Sequence, residues 1–380
     1  MKHTIDTKKI AMIFPYAPSY RRAIYQLMDE EFEIDWFFAG DAKRNLKLLD
    51  YSLLKNCSLT LHEKKILPRV TTLSGVSKIH YEKYHAIIIP GVLRCLSDWW
   101  ILLKLRLTPR SPKVYLWTHG WYGKESFLQS IIKKIFFSGA TGIFLYGKYA
   151  KSLMLKNGFS ESKLHVIHNS LNYEKQLDLR KKLRSNELYR RHFKNEFPVL
   201  IFIGRLTFVK QLNLLIEAVS ILRNEKEFFN IALIGDGEAR PQLEELTRQR
   251  ELSEQVWFYG ECFDEQTNAE LLHNADLCVS PGNVGLTSIH ALMFGCPVLT
   301  HNDFKWQMPE FEAVREGETG SFFTRGDIQS LANAISNWFK KNALARDTVR
   351  HACYDEIDEF WTPKFQVNLL KKVLFHEEEN

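Results

Sequence analysis

The residues best suited to binding chemistry lie between Ser280 and Thr300, where a predicted strand at 277–279 runs into the turn Pro281-Gly282-Asn283 and then into a short helix. Gly and Asn tolerate the backbone angles of such a turn. The first N–H groups of the helix lack intrahelical partners and carry a partial positive charge, which suits a diphosphate. The same pattern also fits an ordinary strand-turn-helix of an α/β protein, because one glycine turn is a weak signal.

Apolar strands alternate with helical patterns through the chain in two blocks, which predicts two doubly wound parallel sheets. The strands are expected at 9–14, 33–39, 86–89, 114–118, 142–145 and 164–167, and then at 198–203, 231–234, 256–258 and 277–279, with another apolar strand after Gly295. Residues 41–80 give no regular pattern. The charged stretch 172–195 separates the blocks and is predicted to be a linker with an exposed helix.

Length and composition indicate a two-domain globular protein. The chain has 380 residues, 45% of them hydrophobic and 25% charged, and is too long for one usual core. The six cysteines are scattered and predict reduced thiols in a cytosolic protein. Met1 to Lys9 is polar, so no signal peptide is expected. No uncharged apolar run reaches the ~18 residues of a membrane span.

The charge is unevenly spread along the chain. Residues 1–170 hold 26 Lys and Arg against 13 Asp and Glu, whereas the remainder holds 25 against 32. The basic half predicts an anionic partner such as nucleic acid, an acidic membrane surface or a lipid diphosphate, or else is merely solvated. The mixed apolar and basic stretches 99–107 and 131–137 fit either a membrane surface or, as favoured here, core-facing helices with charged outer faces. No aromatic nucleic-acid motif is present, so nucleic acid is not expected.

The order of five glycine-containing stretches carries a family resemblance. In the second block they are 204–210 (Gly-Arg-Leu-Thr-Phe-Val-Lys), 235–237 (Gly-Asp-Gly), Gly260, the Pro-Gly turn, and 295–298 (Gly-Cys-Pro-Val). This succession resembles the C-terminal domain of retaining nucleotide-sugar glycosyltransferases of family 4, which have the GT-B fold. In the first block, 166–170 (Val-Ile-His-Asn-Ser) and 118–120 (Thr-His-Gly) look like the family's domain crossover and histidine turn.

The resemblance implies an α/β fold in which two Rossmann-like domains face each other across a cleft. It implies an acceptor-binding domain at 1–172 and a nucleotide-sugar-binding domain at 196–355, joined by the linker at 173–195. A C-terminal helix at 356–380 would cross back to the first domain.

The family's site residues carry over onto this chain position by position. Arg205 and Lys210 would neutralise the departing diphosphate, since Arg offers a forked donor and Lys a point charge. His119 would contact the donor sugar, and with these two cations it completes the expected catalytic group. The other expected donor-binding residues are Gly204, Glu261, Cys262, Gly282, Asn283, Val284, Gly285, Leu286, Thr287, His290 and Glu310. The expected acceptor-binding residues are Tyr16, Ser19, Tyr20, Arg21 and Arg22.

One departure from the family concerns a pair of glutamates eight positions apart. In the family the first binds hydroxyl groups of the sugar and the second binds the ribose. Here Gly282 and His290 stand in those positions. A ring nitrogen of His290 can still bond a ribose hydroxyl. We take as a hypothesis that Glu310, soon after the next strand, replaces part of the first carboxylate's role.

The expected activity is retaining transfer of a sugar from a nucleoside diphosphate to a hydroxyl of a glycan or lipid-linked acceptor. No metal or cofactor is expected, and no pattern predicts an oligomeric state. The enzyme would serve polysaccharide or glycolipid assembly in the cytoplasm, with peripheral contact to the anionic inner face of the membrane. A nucleotide-sugar epimerase of the same fold and a non-catalytic partner subunit of a transferase remain as alternatives.

Overall fold

The computed structural model describes residues 8–40, 47–342 and 345–375. These residues fall into two compact units. The first unit is built from the chain up to Asn172 and from Thr362 onward, and the second unit from Tyr173–Trp361. Most of the Met1 to Lys9 segment, on which the expectation about a signal peptide depends, lies outside the described residues.

The first unit contains one sheet of eight strands within its described residues. The strands are β1 (Ile10–Ile13), β2 (Ile34–Ala39), β3 (Cys57–Leu67), β4 (Val70–Ser74), β5 (Ala86–Ile89), β6 (Lys113–Thr118), β7 (Gly142–Leu145) and β8 (Leu164–Val166). Their order is β4-β3-β2-β1-β5-β6-β7-β8, and only the β3–β4 pair is antiparallel. The helices are α1 (Arg22–Glu31), α2 (Leu96–Leu107), α3 (Phe127–Ser138) and α4 (Lys148–Lys156), with a last helix at Pro363–Phe375.

The β3–β4 hairpin lies within the stretch 41–80 that gives no regular pattern in the sequence. Only Leu61 of β3 is buried, and the strand carries Glu63, Lys64 and Lys65 near the edge of the sheet. A strand with so little buried surface has neither an apolar run nor a clear alternation. The sequence therefore contains no strong signal for it.

The second unit has a six-stranded, fully parallel sheet within its described residues. The strands are β9 (Val199–Ile203), β10 (Asn230–Ile234), β11 (Val256–Gly260), β12 (Leu277–Ser280), β13 (Val298–His301) and β14 (Gly320–Phe323), in the order β11-β10-β9-β12-β13-β14. The helices are α5 (Tyr173–Lys182), α6 (Leu188–Phe193), α7 (Leu212–Asn224), α8 (Arg240–Gln249), α9 (Glu265–Asn274), α10 (Thr287–Met293), α11 (Ile328–Asn342) and α12 (Arg346–Phe360). The helix at Pro363–Phe375 is then α13.

The stretch 173–195 is part of the second unit rather than a linker. Tyr189 and Phe193 of α6 are buried, and the Tyr189 hydroxyl donates to the Leu271 carbonyl at 2.8 Å. These apolar side chains stand among many charged ones, so the composition of the stretch obscures its amphipathic character.

The return to the first unit begins at Thr362, a few residues later than the expected boundary at 356. Residues 356–360 instead complete α12 of the second unit. Within the first unit, Leu370 and Leu374 of α13 join the apolar cluster that contains Met28 of α1. Gln366 Nε2 donates to the His168 carbonyl at 3.0 Å, which fixes the start of α13.

Helices α2 and α3 expose apolar side chains, although the stretches 99–107 and 131–137 were predicted to face the core. On α3 only Phe136 and Phe137 are buried. The exposed apolar residues of α3 are Phe127, Leu128, Ile131, Ile132 and Ile135. On α2 the exposed face carries Leu103 and Leu107 beside its basic residues. The expectation of a charged outer face is therefore wrong for α3 and only partly right for α2. Among the described residues, no helix combines the length and apolar character needed to cross a bilayer.

Candidate functional site

The second unit brings three glycine turns together at the carboxyl ends of its central strands. After β9 and β10, the backbones of Gly204 and Gly235 approach so closely that a Cβ on Gly235 would lie 2.0 Å from the Gly204 carbonyl oxygen. A Cβ on Gly237 would lie 2.5 Å from the Leu206 carbonyl oxygen. Leu206 N–H donates to the Asp236 carbonyl at 2.9 Å, which locks the two loops together. Only glycine permits this packing.

The turn at Gly282 packs on the same loop from the other side. Gly282 N–H donates to the Lys210 carbonyl at 2.9 Å. A Cβ at position 282 would lie 2.1 Å from the Val209 carbonyl oxygen. The backbone around Lys210 and the Pro-Gly-Asn turn are thus in direct contact, although 72 residues separate Lys210 from Gly282 in the chain.

Lys210 extends its side chain into this turn. Its Nζ donates to the Asn283 carbonyl oxygen at 2.6 Å, and the side chain is partly buried. Burial lowers the pKa of Lys210, and the nearby Glu310 carboxylate opposes this shift without cancelling it. Arg205, five residues earlier on the same loop, is exposed. Within the described residues its side chain makes no hydrogen bond or ion pair.

The backbone N–H groups of the turn differ in their availability. Those of Asn283, Gly285 and Leu286 donate no hydrogen bond to any part of the chain that the structure describes. Val284 is the exception, because its N–H donates to Gln307 Oε1 at 2.9 Å and is not free to hold a phosphate. The Thr287 hydroxyl is also occupied, since it donates to the Ile203 carbonyl at 3.1 Å and ties α10 to the end of β9.

Gln307 is a structural element of this site that the sequence analysis does not assign. Its side chain is 4% exposed. Besides accepting from Val284, its Nε2 donates to Thr300 Oγ1 at 2.8 Å and to the His301 carbonyl at 3.1 Å. One amide therefore joins the turn after β12 to strand β13. Its stretch of sequence lacks periodicity, so no pattern distinguishes this glutamine from a surface one.

Glu310 is buried beneath the turn. It is 2% exposed and lies in the single-turn helix Pro309–Ala313. The Ser288 hydroxyl donates to the Glu310 carbonyl oxygen at 2.7 Å and so attaches this helix to α10. Glu310 is buried, and its carboxylate raises the pKa of Lys210 against the larger effect of burial. Glu310 is therefore a counter-charge for Lys210 rather than an exposed contact for a sugar.

His290 is paired with a carboxylate from another helix. Its Nε2 lies 3.0 Å from Glu265 Oε1, which also accepts from Gln176 Nε2 at 2.7 Å. Burial would raise the pKa of Glu265, but the hydrogen bonds from His290 and Gln176, together with nearby positive charge, hold it below its usual value. His290 and Glu265 remain partly exposed.

Two expected donor contacts lie apart from this arrangement. Glu261 is exposed, and the Cys262 carbonyl accepts from Asn268 Nδ2 at 3.2 Å. No hydrogen bond or ion pair joins either residue to the turn at 282–287 in the described chain.

The first unit has a pocket of 420 Å³ at the carboxyl ends of its strands, and four of the expected residues line it. These residues are Tyr16, Tyr20, Arg21 and His119. Ser19 and Arg22 are not among the lining residues, and Arg22 Nε instead bonds Gln26 on the exposed side of α1. The acceptor residues expected from sequence are therefore brought together only in part.

His119 is held neutral in this pocket. Its pKa is lowered to about 4, mainly by burial and in smaller part by the positive charges of Arg21 and Lys133. Its ring lies 4.7 Å from the Tyr146 ring, measured between centroids. A neutral imidazole can donate one hydrogen bond and accept one.

The described residues contain no group of three or more His, Cys, Asp or Glu side chains placed to hold a metal.

Comparison with known proteins finds a family match within the second unit. Residues 185–353 match the family of glycosyl transferases group 1. The glycogen synthase of Mycobacterium tuberculosis is 28% identical over 156 residues, which are 40% of this chain and 36% of that protein. The putative glycosyltransferase EpsD of Bacillus subtilis is 24% identical over 157 residues, 40% of this chain and 39% of the relative. The chain thus matches little more than a third of the length of these curated relatives.

Solved structures resemble the chain over nearly its whole length. A glycosyltransferase from Rickettsia africae superposes with a TM-score of 0.71 at 15% identity and covers 98% of this chain and 100% of its own. The lipopolysaccharide outer core galactosyltransferase WaaB gives a TM-score of 0.69 at 14% identity, with 97% and 99% covered. Anabaena HepE in complex with UDP gives 0.70 at 16% identity, with 96% and 99% covered.

These matches agree with the expectation from sequence. The α/β class and the two sheets are confirmed, apart from the antiparallel β3–β4 pair of the first sheet. The family match agrees with the predicted glycosyltransferase. Residues 185–353 of the second unit are similar to the family of glycosyl transferases group 1, and the chain has the GT-B fold.

Proposed function

We propose that the chain is a retaining glycosyltransferase, related to family 4, that moves a sugar from a nucleoside-diphosphate sugar to a hydroxyl of a glycan or lipid-linked acceptor. The observation that carries the proposal is the combination of Lys210 with unbonded backbone N–H groups at one turn. The Lys210 ammonium bonds the Asn283 carbonyl, and the N–H groups of Asn283, Gly285 and Leu286 are left available among the described residues. Solved HepE structures contain UDP and UDP-glucose, which supports the same class of donor here.

Charge stabilisation of the leaving group is the central task in this reaction. Arg205 and Lys210 would bind the diphosphate, and the free N–H groups would bind its oxygens as charge develops. Lys210 has three N–H donors and uses one of them on Asn283, so the others are available to phosphate. The proposal requires no metal or other cofactor, because the two cations supply the neutralising charge.

The chemical step would proceed on one face of the sugar. The bond between the anomeric carbon and the diphosphate oxygen breaks, and the bonding electrons leave with the diphosphate. The acceptor oxygen forms the new bond on the same face, and its proton passes to the departing phosphate oxygen. His119, neutral at physiological pH, would hydrogen-bond the donor sugar without adding charge.

The departure from the family's glutamate pair has a physical basis in this proposal. Gly282 cannot carry a side chain, since its Cβ position lies 2.1 Å from the Val209 carbonyl oxygen. Glu310 supplies a carboxylate near the same turn, where it acts through Lys210. His290 and Glu265 together would bind the ribose hydroxyls, because the pair combines a ring nitrogen with a carboxylate 3.0 Å away.

Peripheral membrane contact is the second part of the proposal, and helix α3 supports it. The exposed fraction is 84% for Phe127 and 61% for Ile135, and Lys124 and Lys134 are exposed nearby. An apolar helix face edged with lysine is typical of helices that lie in the interface of anionic membranes. A lipid-linked acceptor would place the enzyme at the inner face of the membrane.

Vesicle sedimentation tests the membrane part. Wild-type protein should bind vesicles that contain anionic lipid, and Ile135→Ser should weaken the binding severalfold. Leu67→Ser is the matched control, because Leu67 is 60% exposed on the same unit but lies on the β3–β4 hairpin. Equal binding by both variants, or no binding at low salt, would contradict this part.

A product analysis tests the transfer. The full chain is incubated with nucleoside-diphosphate sugars and candidate glycan acceptors, and NMR identifies the anomer formed. An α-linked donor should yield an α-linked product, and Lys210→Met should lower the rate at least about 100-fold, as expected for loss of a charge that stabilises the transition state. Lys181→Met, a change at an exposed lysine of α5, should leave the rate unchanged. An inverted product, or conversion of the donor sugar without any acceptor, would contradict the proposal.

A further inference from the structure

The pocket of the first unit combines aromatic rings with a single buried cation. It lies where β1, β5, β6 and β7 end, the usual position of a ligand crevice in a parallel sheet. Its aromatic lining residues are Phe14, Tyr16, Tyr20, Tyr25, Trp117 and Tyr146. Rings with polar edges suit a ligand that has both C–H faces and hydroxyl groups, such as a sugar.

Arg21 is the buried cation, with 7% of its surface exposed. The carbon of its guanidinium lies 5.0 Å from the centroid of the Tyr146 ring and 5.5 Å from that of Trp117. It also donates to the Tyr146 hydroxyl. These contacts hold the guanidinium in a fixed position at the pocket wall.

No negative charge within the described residues compensates Arg21. Its Nε is buried without a hydrogen-bond partner. Glu63 is the acidic residue that lines the pocket, but the groups that act on the charge of Arg21 are tyrosines, Tyr146 foremost, rather than a carboxylate. Burying a charge without a counter-ion costs several kcal/mol, and cation–π contacts return only part of that free energy. Because Arg21 also lines the pocket, its guanidinium is suited to bind an oxyanion that enters the pocket.

The neighbouring histidine adds to this charge pattern. His119 faces the same pocket, and burial together with the charge of Arg21 keeps it neutral above a pKa of about 4. A neutral imidazole adds no charge of its own, so Arg21 is the positive charge that a ligand of this pocket meets.

We propose that this pocket binds an acidic sugar, in which a carboxylate or phosphate substituent pairs with Arg21 while the ring packs on the surrounding aromatic side chains. The inference rests on the proposed function in one respect, because it identifies the occupant of the pocket as the acceptor. It narrows the acceptor to a glycan or glycolipid that carries an anionic group beside the sugar ring.

Calorimetric titration of the full chain, without nucleotide, tests this inference. Glucuronate and glucose 1-phosphate represent the two oxyanions, glucose is the neutral analogue, and inorganic phosphate represents an anion without a sugar. At least one acidic sugar should bind about tenfold or more tightly than both glucose and inorganic phosphate. The tighter of the two acidic sugars identifies the substituent as carboxylate or phosphate.

Two variants assign the effect to Arg21. Arg21→Gln should abolish the preference for the acidic sugar, and Arg106→Gln, which removes an exposed arginine of α2, should leave it intact. The affinities of glucuronate, glucose 1-phosphate and glucose are compared on the wild-type chain and need no variant. This comparison therefore shows whether the pocket prefers an acidic sugar even if Arg21→Gln does not fold. Equal affinity for glucose and both acidic sugars, or equal affinity for inorganic phosphate, would overturn the inference. Because no nucleotide is present, such a failure leaves the donor site of the second unit to its own test.

Discussion

Replacement of Gln307 by methionine should weaken both the second unit and its binding of nucleotide. Methionine has nearly the same length and volume but cannot form the three hydrogen bonds of the buried amide. The Val284 N–H then loses its partner in a buried position. An unsatisfied buried group costs about 1–3 kcal/mol, and the two lost donor contacts add to this, so a total of about 2–4 kcal/mol is expected.

Thermal unfolding measures the loss of stability. For a unit of this size each kcal/mol corresponds to about 2–4 °C in the midpoint. Gln249→Met is the matched control, because Gln249 is exposed on α8 and its side chain bonds Glu245 at the surface. That variant should unfold within about 0.5 kcal/mol of wild type.

Hydrogen exchange at the Val284 amide provides a local test of the same prediction. In the wild type this amide should be protected by Gln307, and in Gln307→Met it should exchange much faster. Nucleoside-diphosphate affinity should fall as well, since the turn whose N–H groups are proposed to bind phosphate is no longer attached to β13. Unchanged stability together with an unchanged exchange rate would refute the assignment of Gln307 as the residue that positions this turn.

Three further predictions concern backbone packing and protonation. Gly282→Ala should lower stability and nucleotide binding severely, because its Cβ would lie 2.1 Å from a carbonyl oxygen. Gly285→Ala is the control, because its Cβ would meet nothing closer than 3.6 Å and the variant should lose only the ~1–2 kcal/mol of a left-handed residue. Denaturation curves of the two variants measure the difference. The pKa of His119, measured by NMR, should be about 4 and should rise in Arg21→Gln without reaching 6.5, since burial is the larger cause; a value near 6.5 in the wild type would contradict the pocket as described. Burial also lowers the pKa of three further histidines to about 4: His168, His273 and His301. Unfolding exposes these rings and lets them take up protons below about pH 6.5. The free energy of unfolding should therefore fall as the pH drops from 6.5 toward 4, by about 1.4 kcal/mol per pH unit for each histidine. A free energy of unfolding that stays constant over this range would refute the burial of these histidines.

The sequence was sufficient to predict the fold and the principal turns of the candidate site in the second unit. Buried parallel strands are apolar and regular, so the strands of both sheets can be recognised, apart from β3, β4 and β14. Glycines at 204, 235 and 282 can also be recognised as turn residues, although the sequence does not reveal which backbone each of them meets. That information depends on contacts between segments far apart in the chain.

The remaining features depend on tertiary contacts that leave no local pattern. Gln307 is a buried polar residue in an irregular stretch, and nothing nearby in the sequence indicates its three hydrogen bonds. The pairing of His290 with Glu265 joins two helices, so neither residue alone predicts it. The burial of Arg21, in contrast to the exposure of Arg22, follows from the start of α1 and from packing against Tyr146.

Binding of nucleoside diphosphates to the wild type and to Arg205→Ala tests the central claim most directly. A ligand at 100 times its dissociation constant adds about 2.7 kcal/mol of stability, which thermal unfolding detects readily. The account predicts stabilisation by a nucleoside diphosphate, loss of that effect in Arg205→Ala, and its retention in Arg248→Ala, where an exposed arginine of α8 is removed. Absence of stabilisation by every nucleoside diphosphate and sugar nucleotide would contradict the donor site and would favour a non-catalytic role for the chain.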